Sequence, residues 1–195
     1  AANLLLPDGQ NAGLPFRLEP WEAFIVGSLF GWQKNNKRRY QSAYIAVARS
    51  NGKTPLGAIM LLYGLTADGE RGAQCYAAAT TRDQAKIAFR DCSKMVETTP
   101  ELNGAVETLV NNLTYRPLGS FLRPLSSDAS KMDGLRVHIA LADELHEHPT
   151  GDVIHKLRTG MKSSQPMLIE ITTAGYDRET ICWEEHDYTA KIVEG

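Results

Sequence analysis

The sequence predicts an α/β fold: a three-layer sandwich with a mostly parallel central sheet covered by helices on both faces. Three observations predict it. Short apolar runs that suit buried strands recur along the chain. Segments with apolar residues at helical spacing alternate with them. Polar loops follow the runs at Ala48, Ala142 and Thr173, and in such sheets ligands sit beyond the carboxyl ends of the strands. The 195 residues suit one domain with its own core, expected over 18–195, behind an N-terminal arm of residues 1–17.

The elements follow in order. The first fifteen residues carry Pro7, Pro15, Gly9 and Gly13 and read as a mobile arm. From Pro20 to Trp32 the residues Trp21, Phe24, Ile25, Leu29 and Phe30 recur at helical spacing, with Pro20 in the first turn. A basic connector with Lys34, Lys37, Arg38 and Arg39 comes next. It reads as a solvated loop or as a local DNA contact. The net charge of −2 excludes a basic nucleic-acid clamp over the whole surface. Ala43 to Ala48 reads as a buried strand, Arg49 to Lys53 as a loop and Leu56 to Leu65 as an apolar helix. Gln74 to Ala79 is a strand and Arg82 to Glu97 a helix. Leu109 to Tyr115 and Phe121 to Leu125 form a hairpin across Pro117-Leu118-Gly119-Ser120. Val137 to Ala142 is a buried strand, Gly151 to Met161 a helix, Met167 to Thr173 a strand and Thr180 to Val193 a closing helix.

Composition narrows the class. Hydrophobic residues make up 43% and charged residues 23%, close to a globular average. No uninterrupted apolar run approaches the length of about 18 that a membrane helix needs. The opening residues lack the basic and long apolar regions of a secretory signal. Cys75, Cys92 and Cys182 are scattered, odd in number and without a C-x-x-C pair. Neither a zinc ribbon nor a disulfide framework is expected, and reduced thiols in a cytosol fit best.

The chemistry starts at Val47-Ala48-Arg49-Ser50-Asn51-Gly52-Lys53-Thr54, between a strand and a helix. Against the phosphate-loop pattern G-x-x-x-x-G-K-[ST], Gly52, Lys53 and Thr54 match, and Val47 replaces the first Gly. Backbone N–H groups of Arg49, Ser50, Asn51 and Gly52 are expected to cradle phosphate oxygens, with a helix N-terminus behind them. Lys53 would reach the β- and γ-phosphates, and the Thr54 hydroxyl would ligate magnesium. A G-K-T tripeptide also occurs by chance as a turn with an exposed lysine; the flanking strand and helix set this one apart.

His138-Ile139-Ala140-Leu141-Ala142-Asp143-Glu144 is an apolar strand ending in two carboxylates. Asp143 is expected to hold magnesium and Glu144 to orient and deprotonate the attacking water. The run Glu144-Leu145-His146-Glu147-His148 also offers zinc-type ligands, but not at H-E-x-x-H spacing. His146 is expected to sense nucleotide or neighbouring polar groups. Ile169 to Gly175 is a strand ending in hydroxyls, so Thr172 or Thr173 can bond near the γ-phosphate.

In combination these segments resemble the N-terminal ATPase domain of the large subunit of tailed-phage terminases, a P-loop NTPase. Leu18 to Ile25 looks like the adenine-side motif, with Trp21 and Glu22 at its centre. Ala48 to Thr54 looks like the family's phosphate loop, which tolerates loss of the first Gly and carries an arginine where Arg49 stands. Leu141 to Glu147 looks like its acidic motif, and Thr172-Thr173-Ala174-Gly175 like its coupling motif. The resemblance implies a magnesium-dependent ATPase that binds ATP and Mg2+ and drives double-stranded DNA into a capsid. It implies a portal protein and a terminase small subunit as partners, a pentameric ring on the portal, no membrane, and the host bacterial cytoplasm as location. Arg49 would make hydrolysis responsive to neighbouring subunits. A neighbour's arginine would stabilise the transferring phosphoryl group, worth about 10³ to 10⁵ in rate; Arg136 is the candidate and Arg158 the runner-up.

The sequence departs from the family pattern in two places. Glu22 stands where the adenine motif commonly has glutamine, and an ionised carboxylate accepts but does not donate. The chain also ends soon after Gly175, so the family's nuclease domain is expected to be absent and the chain to be an isolated motor domain. A helicase-like translocase and a non-catalytic nucleotide-binding module are the competing readings.

Overall fold

The computed structural model describes residues 4–125, 134–148, 150–173 and 180–194. It has the expected architecture. Helix α1 (Pro20–Val26) starts at a capping box in which Glu19 and Glu22 satisfy each other's backbone N–H groups. The sequence predicts a helix through to Trp32, but the chain widens into a π-turn at Gly27–Gly31. The two glycines that bracket it weaken the α-helical register there.

Strands β1 (Gln33–Lys34) and β2 (Lys37–Arg38) pair as a small hairpin. Its turn residues, Asn35 and Asn36, have φ of 55° and 58°, the left-handed pair that a tight hairpin turn demands and asparagine tolerates. The basic connector is therefore an ordered hairpin.

The remaining strands make one seven-stranded sheet in the order β3 (Ser42–Ala46), β9 (Met167–Thr172), β8 (Val137–Ala142), β4 (Gln74–Ala78), β7 (Ser120–Leu125), β6 (Asn112–Tyr115), β5 (Val106–Leu109). The first five are parallel, and β6 and β5 are antiparallel. The hairpin across Pro117 is present as β6–β7. A second hairpin across Val110 and Asn111 adds β5, which the apolar pattern does not reveal because Glu107, Thr108 and Leu109 are exposed. Strand β3, expected to be buried, is an edge strand paired to β9 alone, and it is half-buried.

Helices α2 (Lys53–Thr66) and α3 (Arg82–Thr98) cover one face, and α4 (Asp152–Thr159) and α5 (Ile181–Glu194) the other. Strand β8 shows the logic: Ile139 and Leu141 enter the core under α2, and Ala140 and Ala142 enter the core under α4. Among the described residues no helix is long and apolar enough to cross a membrane. The three cysteines are buried and free, and burial pushes the Cys75 thiol up to about 12.

Helix α2 lies close on β8 because two of its residues lack a side chain. A Cβ built on Gly57 would stand 2.6 Å from Leu141 Cδ2, and one on Gly64 would stand 2.4 Å from Ile139 Cδ1. The Gly64 clash also reaches Ile139 Cγ1 at 2.8 Å and Cβ at 3.3 Å, so turning the isoleucine does not clear it. Gly64→Ala is expected to lower stability by about 1–3 kcal/mol through overpacking, despite alanine's better helix propensity. A urea midpoint unchanged from the parent would contradict this account of the seam.

Residues 4–16 are not the mobile arm that the sequence predicts. They fold back as a bridge in which Leu5 pairs with Pro15, with Leu4 and Phe16 buried in the α2–α3 core. The two prolines and two glycines shape this turn, and the apolar residues around them anchor it.

At the amino edge of the sheet, a buried polar network pins the β1–β2 hairpin. Arg38 pairs with Asp68, just beyond α2, and its backbone N–H donates to Gln165 Oε1 at 2.8 Å. His138 Nε2 lies 2.6 Å from the same Asp68 carboxylate, and its Nδ1 lies 3.0 Å from Ser163 Oγ. Burial alone would push Asp68 up, but the hydrogen bonds and charge of His138 and Arg38 hold it below the ordinary carboxylate range. Arg38 is thus a buried anchor, leaving Lys34, Lys37 and Arg39 as the connector's exposed cations.

Candidate active site

The carboxyl edge of the sheet brings together the strand ends that lead into the three loops that the sequence singled out. The chain leaves β3 at Ala46, turns through residues 47–52 and enters α2 at Lys53. The turn is left-handed twice, at Ser50 (φ 64°) and Gly52 (φ 70°). Alternation of right- and left-handed residues aims successive N–H groups into one concavity that suits an anion, here over the start of α2. For Ser50 this conformation costs about 1–2 kcal/mol, and no sequence signal flags it. Asn51 Nδ2 donates to Ala48 O at 3.2 Å and stiffens the turn. Arg49, Ser50, Asn51 and Gly52 are all exposed on it.

Lys53, by contrast, is buried, with Nζ 3.4 Å from Val47 O and 3.8 Å from Glu144 Oε1. The next residue reaches across to the end of β8: Thr54 Oγ1 lies 3.2 Å from Asp143 Oδ2. Asp143 is buried, and its other oxygen accepts the Glu144 N–H at 2.9 Å. Burial pushes the Asp143 carboxyl above its ordinary value and the charge of Glu144 adds to this; the Glu144 N–H, Thr54 and Lys53 pull the other way. A hydroxyl and a carboxylate held together beside a lysine are hard oxygen donors that fit magnesium. Residues far apart in sequence, at 53–54 and 143–144, therefore share one site.

Glu144 sits in the left-handed region at φ 49° and ψ 54°, a strained conformation for this residue. From there its carboxylate reaches Lys53 on one side and His146 on the other. Glu144 Oε2 is buried and has no hydrogen-bond partner among the described residues, although His146 Nδ1 is 3.4 Å away. His146 instead meets the end of β9: its backbone N–H donates to Thr172 Oγ1 at 3.2 Å, and its Nδ1 lies 3.0 Å from the same oxygen and 3.4 Å from Thr173 Oγ1. Thr172 and Thr173 are both buried. Ala174 and Gly175, which complete the expected coupling motif, lie outside the described residues. The acidic segment is also tied to α3, where Gln84 donates to Glu147. His148 is buried, which holds its imidazole below the usual value.

On the other side of the loop, Glu22 is buried, and Oε1 lies 3.6 Å from where a Cβ on Gly52 would stand. Its Oε2 accepts the Glu19 N–H at 2.8 Å. Burial pushes the Glu22 carboxyl up. The adenine-side segment therefore does adjoin the phosphate loop, with one Glu22 oxygen committed to capping α1. Trp21 is about one-third exposed beside it, at 36%.

The two arginines lie elsewhere. Arg136 precedes β8 at the opposite edge of the sheet and pairs with Glu70 at 2.7 Å. The length of β8, roughly 20 Å at the rise of an extended strand, separates it from Asp143. It cannot belong to this chain's own catalytic set. Arg158, on α4, pairs with Glu170 at 3.1 Å and Glu185 at 2.8 Å. Burial and the charge of Glu185 push Glu170 up to about 7, so Arg158 neutralises a buried acidic pair. A cavity of about 620 Å³ lined by Leu18, Phe30, Met60 and Tyr63 lies along α2 and contains none of the site residues.

Comparison with known proteins gives the family and the fold. The family model described as terminase large subunit, ATPase domain, matches residues 20–191. The large terminase subunit of Enterobacteria phage HK97 is 29% identical over 175 residues, covering 87% of this chain and 34% of that protein. The YmfN protein of Escherichia coli K12 is 38% identical over 64 residues, covering 32% of this chain and 14% of that protein. The chain thus spans about a third or less of the relatives it matches. Among solved structures, the crystal structure of the HK97 bacteriophage large terminase superposes with a TM-score of 0.81 at 26% identity, over 97% of this chain and 40% of that one. The Thermus phage P74-26 large terminase ATPase domain gives 0.56 at 19% identity, over 83% and 72%. A large terminase from a thermophilic bacteriophage, in complex with ADP, gives 0.57 at 11% identity, over 75% and 37%. The last two show a shared fold.

Proposed function

This chain belongs to the family of terminase large-subunit ATPase domains, and on that premise we propose that it hydrolyses ATP, with magnesium, to drive double-stranded phage DNA into a capsid. The observation that carries the proposal is the convergence of Lys53, Thr54, Asp143 and Glu144 at one sheet edge, with Thr54 3.2 Å from Asp143 and Lys53 3.8 Å from Glu144.

The residues divide the work by position. The left-handed turn at Ser50 and Gly52 presents N–H groups to the phosphates, and Lys53 exchanges its contact with Glu144 for the β- and γ-phosphate oxygens. Thr54 and Asp143 would hold magnesium, which when bound neutralises charge on the phosphate oxygens. Glu144 orients the attacking water and takes its proton. Arg49, exposed at the mouth of the loop, makes turnover responsive to neighbouring subunits. Thr172 and Thr173 read loss of the γ-phosphate. Trp21 and Glu22 lie on the adenine side. A pentameric ring on a portal, a small-subunit partner and the host bacterial cytoplasm complete the reading, and in the ring Arg136 of one subunit serves its neighbour. The test is ATP binding and phosphate release by the purified chain with and without magnesium. Binding without any magnesium-dependent release would leave a non-catalytic nucleotide module.

For DNA, the exposed cations of the β1–β2 hairpin are the contact. Lys34, Lys37 and Arg39 project from a hairpin that Arg38 pins to the sheet edge. Replacing the three together by alanine is expected to weaken duplex DNA binding and to flatten its salt dependence by about 0.9 in log K per log salt for each lost phosphate contact. DNA-free hydrolysis should be unchanged. An unaltered salt slope would remove the hairpin from the DNA path.

A further inference from the structure

We infer that His146 is a positioning residue whose single Nδ1–H alternates between Thr172 and Glu144, linking the water-activating carboxylate to the hydroxyls at the end of β9. The inference rests on the ATPase reading above and goes beyond it, because it assigns the coupling between two motifs to one hydrogen.

Counting donors gives the direction of each bond. Thr172 Oγ1 donates its proton to Thr173 O at 2.8 Å and accepts the His146 backbone N–H at 3.2 Å. With its proton so placed, it meets His146 Nδ1, 3.0 Å away, as an acceptor. Nδ1 therefore carries the proton. Two other oxygens lie just beyond that bond, Thr173 Oγ1 and Glu144 Oε2, both at 3.4 Å. The second is the one with an unmet need: it is a buried carboxylate oxygen without a hydrogen-bond partner among the described residues, and such an atom is costly to leave unsatisfied.

What holds Glu144 in this state is Lys53, 3.8 Å from its other oxygen. When a triphosphate draws the Lys53 ammonium away, Glu144 loses its cation, and the His146 Nδ1–H stands 3.4 Å from its Oε2. A small shift transfers Nδ1–H from Thr172 to Glu144 Oε2. That bond fixes one carboxylate oxygen and leaves Oε1 to face the water. It also releases the Thr172 hydroxyl from the histidine, so the end of β9 registers that the catalytic base is set. Loss of the γ-phosphate returns Lys53 to Glu144 and Nδ1–H to Thr172.

Two measurements on the whole chain test this. In the nucleotide-free protein with ¹⁵N-labelled histidine, the His146 ring, assigned by its absence from the His146→Asn spectrum, should show the Nδ1–H tautomer; an Nε2–H tautomer overturns the assignment. In kinetics, His146→Ala should lower kcat by about 10²-fold, the scale of a misplaced reacting group, with nucleotide Kd unchanged. His146→Asn should recover most of the loss, because its amide N–H sits close to where Nδ1–H does, whereas His146→Gln should not. Equal loss in the Ala and Asn variants, an unchanged kcat, or a matching loss of nucleotide affinity overturns the proposal while leaving the ATPase reading intact. A parent chain without Lys53-dependent turnover overturns both.

Discussion

Replacing Lys53 with alanine is expected to lower ATP turnover by on the order of 10²–10³-fold, the cost of removing one preorganised charge from a site where negative charge develops. The argument is specific to where this lysine stands. It is buried at the first turn of α2, held between Val47 O and Glu144 Oε1, so its ammonium is already desolvated and aimed before nucleotide arrives. Alanine removes that charge from the β- and γ-phosphates and also strips Glu144 of its cation. Triphosphate affinity should therefore fall along with kcat, unlike in a variant that acts on the chemical step alone. Phosphate release and binding of a non-hydrolysable analogue, with a melting curve to confirm folding, measure both effects. Turnover within a few-fold of the parent would mean that the phosphates lie elsewhere.

Glu144→Gln should separate binding from chemistry. The substitution keeps the shape of the side chain but removes its charge and its ability to take a proton, a loss of about 10²–10⁴-fold for general-base catalysis. Nucleotide affinity should be retained. The charge of Glu144 is the second cause, after burial, of the raised Asp143 carboxyl. Without that charge Asp143 releases its proton more readily, so magnesium-dependent nucleotide binding should persist to lower pH in the variant than in the parent. A variant that still hydrolyses ATP at the parental rate would take Glu144 out of the role of base. An acid limit shifted upward would contradict the coupling of the two carboxylates.

Much of this site is legible in the sequence because its chemistry is local. Gly52-Lys53-Thr54 and Asp143-Glu144 each end a strand or open a helix, and a parallel sheet brings such ends to one edge. Strand order is not local. Nothing in the residues of β9 says that it lies between β3 and β8, yet that placement sets Thr172 beside His146. The edge position of β3 escapes the apolar pattern for the same reason: half-burial and full burial both read as a run such as Ala43-Tyr44-Ile45-Ala46. The left-handed backbone of Ser50 and Glu144 is invisible because neither residue type announces it, whereas Gly52 does. The packing of residues 4–16 is hidden because prolines and glycines signal turns, while the burial of Leu4 and Phe16 depends on a surface offered by α2 and α3. Arg38 looks like its basic neighbours, and only the position of Asp68 beyond the end of α2 distinguishes it.

The paired glycines of α2 bear on how force could leave this domain. With Leu141 and Ile139 seated where side chains at positions 57 and 64 would otherwise be, helix α2 and the strand that carries the two carboxylates interlock like gear teeth. A working stroke that pried them apart would have to break a close-packed seam. The end of β9, by contrast, meets the acidic segment through the hydrogen bonds of His146 to Thr172, and two such bonds exchange partners at far less cost than a packed seam opens.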